Sequence, residues 1–240
     1  MSSPSNRLLN TALFIALAIC LLLFVVAICG YRLEFWRFGM SAKIIRWGIY
    51  LAMGVGVAGI GVFIKALIDK SSVVPAIAAV AIAVIPVAMV VPKVLEARSV
   101  PKIHDITTDL VTPPAFDKVV LLRGDNSNPL DRANPELAKL QSDAYPDIQP
   151  IVSQLTLPQA IERAADVAES LGWEVVNLDQ STGLVEAVVT TPMFGFKDDV
   201  VVRVTRNDGD TRIDLRSVSR VGRSDLGANA ARIRRFIQAF

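Results

Sequence analysis

Cysteine and histidine are nearly missing from this chain of 240 residues, which has two of the first and one of the second. Both cysteines, Cys20 and Cys29, fall inside the first long apolar run and none follows it, which excludes a disulfide framework. One imidazole with no downstream thiol leaves no donor set for zinc or iron, so neither a metal nor a cofactor is expected. Charge is scarce too, at 20% of residues against 52% hydrophobic, and a mean hydropathy of +0.45 is too apolar for an ordinary soluble domain. The charges present are unevenly divided. Residues 1–92 hold seven Lys/Arg and two Asp/Glu, residues 93–240 hold eighteen and twenty-one, and the net +2 is therefore +5 on the first part and −3 on the rest. A net-acidic soluble part argues against a nucleic-acid partner, which would need a basic footprint to neutralise phosphates.

What the first part has instead is length without charge. Leu8 to Tyr31 is 24 residues, Trp47 to Ile64 is 18 and Ser71 to Pro92 is 22, each without a charged side chain. At 1.5 Å per helical residue such runs cross a hydrocarbon core of roughly 30 Å. Three transmembrane helices are expected, at about 8–30, 47–68 and 72–92, with Pro86 kinking the third. The first run exceeds a signal-peptide core, and bulky Ile19 and Ile28 precede the two cysteines where a lipidation site needs a small residue, so an uncleaved anchor is expected. Gly54-Val-Gly56-Val-Ala-Gly59 matches a dinucleotide-binding fingerprint letter for letter, but that motif needs a strand before it and a hydrated helix start. Mid-membrane, the small residues Ala52, Gly54, Gly56, Ala58, Gly59 and Gly61 read as surfaces for close helix approach. No acidic or basic residue lies in the core of a span, which disfavours transport.

The soluble part opens with an irregular stretch, Pro101 to about Gln154, carrying Pro113, Pro114, Pro129, Pro135, Pro146 and Pro150. Its apolar cluster Val119 to Leu122 reads as an edge strand or as a contact tying the stretch to the domain. Thr156-Leu-Pro158-Gln159 is a capping box, and Leu157, Ile161, Ala164, Ala168 and Leu171 share one helical face up to Gly172. Two hairpins follow, Trp173–Leu178 with Leu184–Thr191 and Val200–Thr205 with Arg212–Arg216, turning at Asp179–Gly183 and Asn207–Asp210. A last helix, capped by Ser224 or Asp225, sets Asn229, Ile233, Phe236, Ile237 and Phe240 on one stripe. The expected fold class is α+β: three transmembrane helices, then a small antiparallel-sheet domain in the order helix, four strands, helix. The expected divisions are a membrane domain at 1–98, a Pro-rich segment wrapping the domain at 99–155 and the α+β domain at 156–240.

Ile103-His-Asp-Ile-Thr-Thr-Asp109 with Pro113-Pro114-x-Phe116, and Ser219-Arg-Val-Gly-Arg-Ser-Asp-Leu-Gly-Ala-Asn-Ala-Ala-Arg-Ile233, resemble the domain of unknown function "fourteen ninety-nine", found in bacteria and plastids. The resemblance covers about residues 100–240 and implies no activity. It implies an extracytoplasmic domain, because similar proteins occur as lipoproteins or with lumenal targeting. The flanking charges vote the other way. Arg7, Lys65 and Lys70 lie on one side, against Arg32, Arg37, Lys43, Arg46, Lys93, Arg98 and Lys102 on the other, which favours a cytoplasmic C-terminal domain. Tyr31, Phe35, Trp36, Phe38 and Trp47 make the first loop look interfacial, so its cations also suit lipid headgroups. A multi-pass protein of a bacterial inner membrane with a periplasmic C-terminal domain is the expectation, the cytoplasmic placement staying open.

Three clusters are candidates for chemistry or binding. His104, Asp105, Thr107, Thr108 and Asp109 contain the one imidazole; His104 oriented by Asp105 or Asp109 is a candidate general base for a hydrolase, or the group is a hydrogen-bonded loop lock. No G-x-S-x-G elbow supports the hydrolase. Nine arginines against four aspartates between 200 and 240 suit carboxylate or phosphate recognition, most pointedly Arg216, Arg220 and Arg232 with Asp225 and Asn229 near the start of the last helix. The competing reading pairs Arg212 or Arg216 with Asp198 or Asp199. Phe194 and Phe196 form a tip that either enters a bilayer, grips a ligand or folds under the sheet as core. The expectation is a membrane-anchored, non-enzymatic binding or accessory module of the cell envelope recognising a lipid or an envelope membrane protein; a hydrolase, or a structural subunit of a membrane complex, is the alternative.

Overall fold

Runs of apolar residues with no local partner for their backbone must form helices, and in the computed structural model three do: α1 (Pro4–Arg32), α2 (Phe38–Ile68) and α3 (Val74–Ser99). The structure describes residues 4–132, 134–207 and 209–240; the side chains of Lys93 and Arg98, and Asp208 of the second hairpin turn, lie outside the described residues. Each helix holds a stretch long and apolar enough to cross a bilayer, at Asn6–Arg32, Phe38–Ile68 and Val74–Pro92, and the chain is a membrane protein. It divides into two compact units, Met1–Leu95 and Glu96–Phe240.

In the first unit α2 starts earlier than expected. The loop after α1 is only residues 33–37, and Lys43 and Arg46 lie inside α2 instead of in an interfacial segment. The loop is closed by side chains that reach across it: Trp36 Nε1 donates to Ser41 Oγ at 2.9 Å, and that hydroxyl donates to the Ala27 carbonyl at 2.6 Å. Deeper, Cys20 Sγ lies 3.2 Å from the Gly48 carbonyl. The glycines of α2 divide by helical periodicity. Ala52, Val55 and Gly59 share one buried face, and a Cβ on Gly59 would sit 2.7 Å from Val80 of α3. Gly54, Gly56 and Gly61 face open space, so close packing uses only part of the expected set.

The second unit is an antiparallel sheet with strand order β1-β6-β5-β4-β3: β1 (Asp105–Thr107), β3 (Glu174–Asp179), β4 (Leu184–Thr190), β5 (Lys197–Asn207) and β6 (Asp210–Ser219), while β2 (Ile151–Ser153) pairs the far half of β6. The four expected strands are present. The segment thought to be irregular adds β1, β2 and the helix α4 (Leu137–Ala144), and Val119 to Leu122 lies in a 3-10 helix, Lys118–Leu122, with Val119 fully buried. It is therefore a tie and not an edge strand. α5 (Leu157–Ser170) and α6 (Ala228–Ala239) cover one face, where Val185, Ala187, Val200, Val202, Val204, Ile213 and Leu215 meet Ile161, Ala164, Ile233 and Phe236. Phe236 stacks between Trp173 and Phe240, at centroid distances of 5.5 and 5.9 Å.

Candidate functional site

Because side chains alternate along a strand, the residues between those core valines point to the opposite face of the sheet. They are not solvated. Glu186, Asp199, Asp214 and Arg216 are buried there; residues of the 109–132 segment bond to Glu186, Asp199 and Arg216, and Arg203 and Arg212 bond to Asp214, so each of these four buried groups is hydrogen-bonded.

Asp105 is the first hub. Its carboxylate accepts a two-pronged bond from Arg216, Nε at 3.1 Å and Nη2 at 2.8 Å, and a third bond from Arg132 Nη1 at 2.7 Å. Arg216 also donates to the carbonyls of Pro114 and Leu130, at 3.1 and 2.6 Å, and its guanidinium lies 5.3 Å from the centre of the Phe116 ring. One arginine thus holds both halves of the 103–116 motif. Asp199 is the second hub: Arg220 donates to it through Nε at 2.9 Å and Nη2 at 2.7 Å, and Arg123 from the overlying segment donates to it as well. Arg220 Nη1 continues to the Leu122 carbonyl at 2.7 Å. Glu186, at 0% exposure, is the third: it accepts the backbone N–H groups of Asp117 and Lys118 at 2.7 and 2.8 Å and the Asn177 amide at 2.9 Å, capping the 3-10 helix from across the sheet.

On the helix-covered face, Asn229 uses its whole amide. It donates to the His104 carbonyl and to Ser219 Oγ, at 2.9 and 3.0 Å, and accepts from Ser217 Oγ at 2.7 Å and from Arg232. Arg232 passes on to Asp198 at 2.5 Å. The α6 start is filled by Asp225, which accepts Gly227 N at 3.0 Å and Asn229 N at 2.7 Å. Burial pushes the Asp225 carboxyl above the ordinary range; those two N–H groups pull against this, Asp198 adds to it, and Arg232 opposes it.

These contacts place the sequence candidates. Arg216, Arg220 and Arg232 each hold an aspartate of the chain, and the loop before α6 holds its own carboxylate at the helix start, so this group is internally paired instead of presenting a free anion cradle. The partners also differ from those expected: Arg216 takes Asp105, Arg212 takes Asp214 and Asp109, and Asp198 and Asp199 go to Arg232 and Arg220. Thr107 Oγ1 donates to the Leu215 carbonyl at 2.9 Å and Thr108 Oγ1 accepts Leu215 N at 2.8 Å, so both hydroxyls sit in the β1–β6 seam. His104 is half-buried; its carbonyl accepts Ser219 N at 2.9 Å, and among the described residues the bonds of Asp105 go to Arg216 and Arg132 and not to the imidazole. Phe194 and Phe196 stack at 5.3 Å, both half-buried, in the β4–β5 turn.

On the sheet face opposite α5 and α6 there is an open cleft of about 520 Å³ lined by Asp109, Val111, Thr112, Arg203, Thr205, Arg212 and Asp214. Arg203 Nη2 donates to Asp109 and Asp214 at 3.0 and 2.9 Å, and Arg212 Nε to Asp214 at 3.0 Å. Burial alone would raise Asp109, but bonds from Thr112 and Val111 and the Arg212 charge hold it below the ordinary carboxylate range. Sequence reasoning missed Glu186 and Gln141 altogether. Gln141, 1% exposed, extends the edge of β1 by accepting Thr107 N at 3.1 Å and donating to its carbonyl at 2.5 Å. A lone acid in Leu184-Val-Glu186-Ala-Val-Val was the available signal for the first; a glutamine on a short polar helix gave none for the second.

Compared with known proteins, residues 105–240 match the family model described as protein of unknown function (DUF1499), and no curated protein matches.

Proposed function

The chain belongs to the DUF1499 family of proteins of unknown function, and from that premise and the geometry above we propose that it is a membrane-anchored, non-enzymatic binding or accessory module of the cell envelope that recognises a lipid or a protein partner. The observation that carries the reading is the commitment of the polar side chains on both sheet faces to fixed ion pairs, in a chain that also carries three membrane-capable helices. Asp105, the candidate partner of His104, is held by two guanidiniums, and the threonine hydroxyls beside it are bonded to backbone. Such a network rigidifies a surface without offering a reacting group. The Asp109–Arg203–Arg212–Asp214 cleft supplies donors and acceptors for a polar headgroup or peptide.

Native mass spectrometry of the full-length protein in mild detergent tests this. A retained lipid or a stoichiometric second polypeptide supports the module and says which partner it has; a bare monomer counts against it. On this reading, which the family resemblance supports and the flanking charges oppose, the C-terminal domain lies on the periplasmic side of a bacterial inner membrane. A Thr182→Cys variant with Cys20 and Cys29 replaced by Ala labels in intact cells with a membrane-impermeant maleimide if so, and only after lysis if the domain is cytoplasmic.

A further inference from the structure

The chain enters the soluble unit at one end of the sheet. Ile103 is buried, its carbonyl accepts Asp225 N at 3.0 Å, and Asp105 pairs with Val218 at the finish of β6. The 220–227 loop, the β4–β5 turn and the finish of the 3-10 helix belong to the same end: Arg220 N bonds the Lys197 carbonyl at 3.0 Å, its guanidinium bonds the Leu122 carbonyl, and Asn128 bonds the Gly222 carbonyl at 2.8 Å. Large apolar side chains are left outside here, with Leu121 at 82% exposure, Leu122 at 51%, Met193 at 49% and Leu226 at 40%.

Their placement is enforced. The 3-10 helix is held at its start by Glu186, beneath by Val119 and at its finish by Arg220, so Leu121 and Leu122 are presented by a fixed turn. Leu226 occupies a left-handed conformation, φ 55°, that an L side chain adopts at a cost and glycine does not. Exposed Lys102, Lys118, Lys197 and Arg223 accompany the leucines, against Asp117, which Lys118 pairs, Asp125 and Glu174. The turns at the other end carry Asp179 and Asp210 with the exposed Arg206, and the single apolar side chains Leu178 and Val152 are exposed beside them. A group of exposed leucines on a fixed turn, flanked by cations, is the arrangement an interfacial surface requires. Only ten residues, 93–102, separate Pro92, where the third candidate span finishes, from Ile103, and α3 continues through Ser99, so the tether is at most about 25 Å and keeps this end at high effective concentration near a bilayer.

We propose that this end of the soluble unit docks on the lipid bilayer, inserting Leu121, Leu122, Met193 and Leu226 among the headgroups. The inference rests on the membrane-anchored reading and names the bilayer itself as the lipid partner. The test uses the full chain, with Cys20 and Cys29 replaced by Ala, in vesicles of phosphatidylethanolamine and phosphatidylglycerol, and a nitroxide on a single cysteine at Leu121, Leu226 or Thr182. Docking makes the Leu121 and Leu226 labels several-fold more accessible to oxygen relative to a nickel chelate than the Thr182 label, and Leu121→Asp with Leu122→Asp returns the Leu226 label to water. Equal, aqueous accessibility at all three positions overturns the proposal. Labels at Leu121 and Leu226 shielded from both reagents also overturn it, because a protein then covers the surface. A bare monomer in detergent bears on the partner reading alone, and aqueous labels bear on the docking alone, so the two failures are told apart.

Discussion

Asp199→Asn is the sharpest perturbation the ion-pair network offers. Asp199 has 0% side-chain exposure and is shared by Arg220 and Arg123, themselves 10% and 7% exposed. The amide keeps the shape and one acceptor but removes the charge that both cations face. Burial already holds Arg123 below the ordinary arginine range; Asp199 opposes this, and the Arg220 and Arg216 charges add to it. Breaking a buried pair by removing one partner costs about 3–5 kcal/mol, and here two cations are stranded, so the upper part of that range is expected. Arg220→Gln and Arg123→Gln each leave Asp199 one cation, and about 1–3 kcal/mol is expected for either. Urea unfolding of the full-length protein in mild detergent, followed by far-ultraviolet circular dichroism, reads this ordering. With a slope of about 2 kcal/mol per molar, Asp199→Asn lowers the midpoint by about 2 M, roughly twice the shift of either arginine variant. Adding Arg123→Gln to Asp199→Asn restores part of the loss, since the second cation no longer faces the first. If Asp199→Asn shifts the midpoint no further than Arg220→Gln, the shared-charge reasoning is refuted.

Other consequences follow from backbone geometry and from titration. Gly183 has φ 71° and a Cβ there meets the Val204 carbonyl, whereas Gly172 has φ 76° and open space; Gly183→Ala is expected to cost about 2–3 kcal/mol and Gly172→Ala about 1 kcal/mol in the same unfolding assay. Asp179 is lowered to about 2, first by the Ser181 hydroxyl and then by Thr182, so its contribution to stability is present above pH 3.8 and lost as pH falls through about 2. In Ser181→Ala the carboxyl carbon shift of Asp179, followed by NMR, titrates at higher pH; an unmoved titration means the hydroxyl is not the cause. Leu226→Gly releases the left-handed strain and is expected to stabilise the soluble unit by about 1 kcal/mol, read as a higher thermal midpoint.

The sequence by itself determined whatever depends on local chemistry. Charge-free runs of 18 to 24 residues, the length that spans a hydrocarbon core, leave a backbone in lipid to bond within its own helix, so all three spans were readable. The capping box at Thr156, the Asp179–Gly183 and Asn207–Asp210 turns and the alternating valines of β5 announced α5 and both hairpins, because their periods and turn chemistry reside in neighbouring residues. The 103–116 and 219–233 motifs were recognisable too, and the α+β class and the family stand as expected.

Tertiary structure decided the partners. Arg216 and Asp105 are 111 positions apart and Arg220 and Leu122 are 98 apart, and no periodicity carries such a pairing. The irregular stretch became β1, α4 and the 3-10 helix because Gln141, Glu186 and β6 supply from a distance the hydrogen bonds that its own proline-rich sequence does not. For the same reason the arginine cluster read as a site for an outside anion: composition counts the guanidiniums, but only the fold shows that the chain supplies their carboxylates. Once those charges are taken up internally, the end where the chain enters still turns Leu121, Leu122 and Leu226 outward among Lys102, Lys118 and Lys197, and that exposure is a property of the folded surface alone.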